Sequence, residues 1–160
     1  MEKKFNYQIN DREVIITRPF EAAHTNVWEA FTDSRILDQW WAPKPWNCHT
    51  KSQEFKVNGR WLYYMEGPNG ERHYSYFDYK SIDPQNSFSG LDGFCDENGN
   101  STEDQPSSEW KITFSSDKGI CTMKASCQYP DEETMKTFLD MGFLEGFETG
   151  LNQLEELLKR

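Results

Sequence analysis

Three histidines, four cysteines and 27 acidic side chains are the raw material for chemistry in this 160-residue chain. No standard catalytic spacing collects them. There is no GxSxG, HExxH, phosphate loop or GxGxxG, so neither a catalytic constellation nor a cofactor is expected. Cys48, Cys95, Cys121 and Cys127 form no CxxC and no Cys/His cluster at zinc spacing, so no metal is expected either. Cys121 and Cys127 share one predicted strand, where extended geometry separates them by roughly 20 Å, beyond disulfide reach. Free buried thiols follow, in a reducing, cytoplasmic setting. Of His24, His49 and His73, only His73, on a predicted strand, is a candidate acid or base. His24 opens a predicted helix and is expected to be exposed. Glu66 and Glu109 could approach a cavity, but Glu66 has the opposite parity to Trp61 and is expected to face solvent.

Binding chemistry is better represented than catalysis. Only 36% of residues are apolar, yet 15% are aromatic, so apolar volume is concentrated in a few large side chains. Trp61, Tyr63 and Met65 share a face of the strand predicted at 59–66. His73, Ser75, Phe77 and Tyr79 share one at 71–82, although Tyr74 and Tyr76 leave that strand's polarity ambiguous. Apolar walls with a few hydroxyls and one imidazole are the composition of a small-ligand site; they are equally the composition of a core. The expected walls are Trp61, Tyr63, Met65, Phe77 and Tyr79 on one side. Trp110, Ile112, Met123, Gly146 and Phe147 complete them, with Tyr79 and His73 supplying the polar contacts.

These residues need elements to hold them. Residues 7–18 end in a β-branched run and predict a first strand, stopped by Pro19. Thr25 or Asn26 can cap a short helix carrying Val27, Trp28, Ala30 and Phe31. Asp33-Ser34 breaks it and restarts a second, Arg35 to Trp41, ended by Pro43 and Pro45. From Trp46 to Gln128 the period is two, punctuated by turn signals at Asn58-Gly59, Pro68-Asn69-Gly70 and Asp83-Pro84-Gln85-Asn86. Residues 95–107, rich in Asp, Asn, Gly and Ser, predict a mobile loop. Cys121, Met123, Ala125 and Cys127 then alternate with Thr122, Lys124, Ser126 and Gln128, as in an antiparallel sheet packed on one side. Asp131-Glu132-Glu133 opens a predicted helix running to about Lys159, with acids and bases placed to suit its dipole. Gly142, Gly146 and Gly150 recur on one face of it. Each costs about 1 kcal/mol there relative to alanine, so space for a ligand, close packing or a bend should offset them.

The formal charge of −10 argues against nucleic acid and anionic membrane as partners. No stretch approaches the ~20 apolar residues of a membrane span, and the lysines of Met1–Asn6 precede no apolar run, so no signal peptide is expected. At this length one domain over 1–160 is expected.

Ordered landmarks then carry a resemblance. Phe20-Glu21-Ala22 precedes Val27-Trp28-Glu29-Ala30-Phe31-Thr32-Asp33, followed by Leu37-Asp38-Gln39-Trp40-Trp41-Ala42-Pro43 and Val57-Asn58-Gly59-Arg60-Trp61. Met65 to Gly70, Ile82-Asp83-Pro84 and Gly142-Phe143-Leu144-Glu145-Gly146-Phe147 complete the set. Over residues 14–158 the chain resembles the activator-of-heat-shock-protein-90-ATPase-like family of the START-like (SRPBCC) helix-grip superfamily. Asn58 stands where that family's turn has a first glycine, and Asn also tolerates positive φ. The resemblance implies an α+β fold: a strand, two short helices, five or six further antiparallel strands and a long C-terminal helix gripped by the curved sheet. It also implies a cavity for a small apolar or amphipathic molecule. An enzyme acting on a cavity-bound substrate and a cochaperone-like module are the alternatives, with a chaperone or a second copy as possible protein partners.

Overall fold

A computed structural model describes residues 4–101, 104 and 106–160. The chain opens with strands β1 (Asn6–Asn10) and β2 (Glu13–Phe20), then helices α1 (His24–Thr32) and α2 (Ser34–Leu37). Six strands follow: β3 (Asn47–Gln53), β4 (Arg60–Glu66), β5 (Arg72–Asp83), β6 (Ser87–Cys95), β7 (Ser107–Asp117) and β8 (Ile120–Gln128). Helices α3 (Glu132–Asp140) and α4 (Phe143–Leu158) close the order. The strands make one antiparallel sheet, β1-β2-β8-β7-β6-β5-β4-β3, open at both edges. The expected helix-grip architecture is therefore present: an α+β fold whose curved sheet holds the C-terminal helical segment.

Period-two patterning decides which face is inside. Cys121, Met123, Ala125 and Cys127 are fully buried, and their partners on β2 (Phe20, Arg18, Ile16 and Val14) are buried with them. The row continues through Phe114, Ile112 and Trp110 on β7 and Phe88 on β6. Over it sits α1, with Trp28 edge-on to Phe114 at 5.5 Å and Phe31 edge-on to Trp40 at 4.8 Å. Such T-shaped pairs contribute ~0.5–1.5 kcal/mol beyond area burial.

Several local expectations are corrected. The segment 7–18 is a hairpin, turning at Asp11, which takes φ 50°. Pro19 does not stop the ladder; it pairs with Thr122 inside β2. It does so where β1, whose pairing ends at Thr17, no longer covers it, and proline is tolerated at such uncovered edges. Helix α1 starts at His24 after Ala23, without the side-chain cap expected from Thr25 or Asn26. Asp33 does restart the second helix, accepting from the Arg35 amide at 2.9 Å, but α2 stops at Leu37 rather than Trp41. The loop predicted at 95–107 begins after Cys95; Thr102, Glu103 and Gln105 lie outside the described residues.

The largest correction concerns the C-terminal helix, which is two helices. Gly142 takes φ 89°, the left-handed conformation, and donates to Leu139 O at 3.1 Å, ending α3 before α4 begins. Only glycine adopts this conformation without strain. The three glycines thus have three different reasons. Gly142 makes the bend. At Gly150 an added Cβ would meet the carbonyl oxygens of Trp40 at 3.2 Å and Trp41 at 3.4 Å, so here the helix packs closely. At Gly146 it would meet only Pro43, at an ordinary 3.7 Å.

Helix α4 is anchored to β2 by a buried charge. Arg18 donates to Pro19 O (2.6 Å), Asn152 Oδ1 (3.1 Å) and Glu155 Oε1 (3.1 Å), and lies over the Phe20 ring. Its Nε, also buried, has no partner among the described residues.

Candidate functional site

The sheet's concave face is not filled along its whole length. Where the end of β4, the start of β5, the end of β6 and the start of β7 come together, the α3–α4 bend arches over a cavity of about 230 Å³. Its apolar wall is built from Trp41 in the loop after α2, Trp110 on β7, and Phe143 and Phe147 on α4. Trp41 and Trp110 each stand about edge-on to Phe147, at 5.8 and 5.7 Å. The kink at Gly142 keeps α3 from continuing the line of α4, and Gly146 presents no side chain to the space. The row of glycines therefore shapes the cavity at two of its three positions.

Polar groups enter from the sheet. The Tyr63 hydroxyl accepts a hydrogen bond from Trp41 Nε1 at 3.1 Å and lies beside the Ser75 hydroxyl. Burial, and after it the charge of Asp92, push the Tyr63 hydroxyl well above its ordinary pKa. Asp92 pairs with Phe77 on one side and Ser108 on the other, so it shares the inward face of β6 with Phe88 and Phe94. Protein encloses its carboxyl, which stays accessible only in part, and it lines the cavity. Among the described residues nothing donates a hydrogen bond to it. Burial alone raises its pKa from 3.8 to about 7, because a low-dielectric site disfavours the charged form. Ser108 beside it is already used, accepting from Trp110 Nε1 at 2.9 Å.

The residues expected from the sequence divide between this cavity and its surroundings. Tyr63, Met65, His73, Trp110, Gly146 and Phe147 line it. Trp61 stands behind the wall, stacked on Tyr63 at 3.9 Å and edge-on to Trp41 at 5.5 Å. Phe77 and Tyr79 turn toward Phe88, at 5.8 and 6.1 Å, in the filled part of the face. The Tyr79 hydroxyl accepts from Gln53 Nε2 at 3.1 Å and offers the cavity no polar contact. Ile112 and Met123 are core, 2% and 0% exposed. His73 is exposed at the mouth, its ring 5.1 Å from that of Trp46.

The other ionisable candidates have structural posts elsewhere. His24 is half-buried rather than exposed: Nε2 donates to Gln85 O and Nδ1 bonds Ser116 Oγ, both at 2.5 Å, tying α1 to the β5–β6 turn and β7. His49 stacks on Tyr64. Glu66 is bound by Arg72 and Glu109 by Lys80, each at 2.9 Å. All four cysteines are free and buried. A second cleft, about 340 Å³, lies near Phe20 and Ile120. On its rim Lys4 and Lys159 both pair with Glu155, at 2.8 and 3.6 Å.

With this geometry in hand, the comparisons are specific. The family model described as "Activator of Hsp90 ATPase homolog 1-like protein" matches residues 21–159. The chain belongs to this family. Every cavity-lining residue falls inside the matched span. Among solved structures, protein Ms6760 from Mycobacterium smegmatis is 31% identical, with a TM-score of 0.87 over 98% of this chain and 96% of that one. A protein from Arthrobacter aurescens is 24% identical, with a TM-score of 0.91 over 98% and 92%. One from Staphylococcus epidermidis is 25% identical, with a TM-score of 0.86 over 96% and 93%. No curated protein matches the chain. Among the described residues no helix is long and apolar enough to cross a membrane.

Asp92, Trp41 and Phe143 also line the cavity and were not among the expected walls, while Ser75 lines it from the face it was expected to share with His73. A signal existed for Asp92: it has the parity of Phe88 and Phe94. Gly90 and Gly93 interrupt that alternation and hide it.

Proposed function

We propose that this protein is a non-enzymatic binder of a small apolar or amphipathic molecule, held between the sheet and the α3–α4 bend. The observation that carries this reading is the unfilled aromatic cavity under a helix kinked by Gly142. An apolar cleft lined by aromatic rings with a few polar groups is the usual composition of a small-ligand site. At about 230 Å³ the cavity holds roughly eight waters' worth of liquid volume, which suits a small molecule better than a lipid chain. Catalysis by His73 has less support, because no described residue hydrogen-bonds that ring to orient it, as an acid or base requires.

Gly146→Leu tests the reading. The new side chain projects into the cavity from a position where a Cβ meets only Pro43. Titration with 2-phenylethanol and 2-phenylethylamine, followed by tryptophan fluorescence, should show saturable binding in the natural protein and none in a folded Gly146→Leu variant. Equal binding by both proteins would place the ligand elsewhere.

A further inference from the structure

We propose that the molecule held in this cavity carries a protonated amine, with the Asp92 carboxylate as its counter-ion. The inference rests on the binding reading above and adds the ligand's chemical class.

Four observations converge on it. Strand register fixes Asp92 on the concave face between Phe77 and Ser108, not at a frayed end or in a loop. Its carboxyl lines the cavity without any donor among the described residues. Asp92 is half-buried, and a carboxylate partly withdrawn from water is stabilised by a donor or a positive charge. No lysine or arginine lines the cavity, and the one imidazole, His73, stands exposed at the mouth, so the protein does not supply that charge itself. The neighbouring hydroxyls already accept, Tyr63 from Trp41 and Ser108 from Trp110, and neither donates to Asp92 among the described residues. Among the lining residues described, Asp92 is the one acidic group.

The surrounding rings select among possible donors. Trp41, Tyr63, Trp110 and Phe147 surround the space with π-systems, and a cation is attracted to such ring faces. An ammonium group supplies both things the site lacks: N–H donors for charge-assisted bonds to Asp92 and a positive charge. A hydroxyl supplies only a donor. A carboxylate supplies neither and would be repelled. The remaining apolar rings suit a small aromatic or aliphatic body, so an arylalkylamine is a fair probe. The chain's charge of −10 also favours cation approach over anion approach.

The test is a matched series, 2-phenylethylamine, 2-phenylethanol and phenylacetate, titrated by calorimetry at pH 8 against the natural protein, Asp92→Asn and Asp92→Ser. The amine should bind the natural protein at least ten-fold more tightly than the alcohol, with phenylacetate weakest. Asp92→Asn should reduce that preference to under three-fold. Asp92→Ser serves the same comparison should Asp92→Asn fold poorly. Equal affinity of amine and alcohol for the natural protein would overturn the amine inference while leaving the binding reading intact. A preference retained in both Asp92 variants would overturn Asp92 as counter-ion. Binding of none of the three at millimolar concentration would remove both readings together.

Discussion

Beneath α1 and the later turns of α4, the concave face is packed with Phe88, Ile112, Phe114 and Met123. The buried charge there, Arg18, is met by Pro19 O, Asn152 and Glu155. Beneath the α3–α4 bend the same face opens into a cavity, and the half-buried carboxyl there, Asp92, receives no hydrogen bond among the described residues. Both regions draw on β5, β6 and β7 at the same period, while β2 and β8 belong to the filled one and β4 borders the hollow one. The difference lies in what covers them: a continuous α4 packed at Gly150 on the Trp40–Trp41 backbone in one half, and a helix interrupted at Gly142 in the other. A polar group buried for structure is normally paired. Under the proposed reading, the ligand's ammonium completes the pair at Asp92.

Aromatic truncation should separate the halves most strongly. Phe114→Ala, which opens a void in the filled half, should cost about 3–5 kcal/mol. Phe143→Ala, half-buried at the edge of existing space, should cost about 1–2 kcal/mol, because little new cavity is created. Urea unfolding measures both, and equal losses would mean that the cavity is closed in solution.

Titration should separate them next, with opposite signs. Folded Asp92 keeps its proton to about pH 7, whereas the unfolded chain releases it near 3.8. The folded state binds more protons in between, so stability falls as pH rises through that window. The effect is on the order of 4 kcal/mol at most, and Asp92→Asn should abolish it. Glu155 behaves in reverse. Hydrogen bonds from Lys4 and then Arg18 hold its carboxyl at about 2, against an ordinary 4.5. Its contribution is complete above 4.5 and is lost as pH falls toward 2. Glu155→Gln should therefore flatten the acid limb, and Asp92→Asn the limb between pH 4 and 7.

The glycines give the smallest contrast. Gly146→Ala relieves a helix-interior glycine with only an ordinary contact to Pro43, so stability should rise by about 0.5–1 kcal/mol. Gly150→Ala meets the Trp40 and Trp41 carbonyls, and the helix gain should be cancelled. Thermal unfolding of the pair checks this. Gly150→Ala more stable than Gly146→Ala would reverse the assignment of close packing and open space.

How much of this was legible follows from how each feature is encoded. The alternation from Cys121 to Cys127 reads directly as a one-sided strand, because every inward position is apolar or small. The order of landmarks from Phe20 to Phe147 was enough for the fold. Tyr63, Met65, Trp110 and Phe147 were reachable from parity, but parity cannot tell filled core from hollow core. That is why Phe77, Ile112 and Met123 were grouped with them. The distinction depends on where a helix bends, and Gly142 sat within an otherwise unbroken helical pattern. Asp92 was hidden by its flanking glycines, which removed the side chains that would have displayed its strand's alternation.

The most direct test uses the chain's own six tryptophans. In a two-dimensional NMR titration with 2-phenylethylamine, the indole N–H signals of Trp41 and Trp110 should move saturably and together. Those of Trp28 and Trp40, in the filled half, should stay in place. Shifts confined to Trp28 and Trp40, or no shifts at millimolar ligand, would contradict a binding site under the α3–α4 bend.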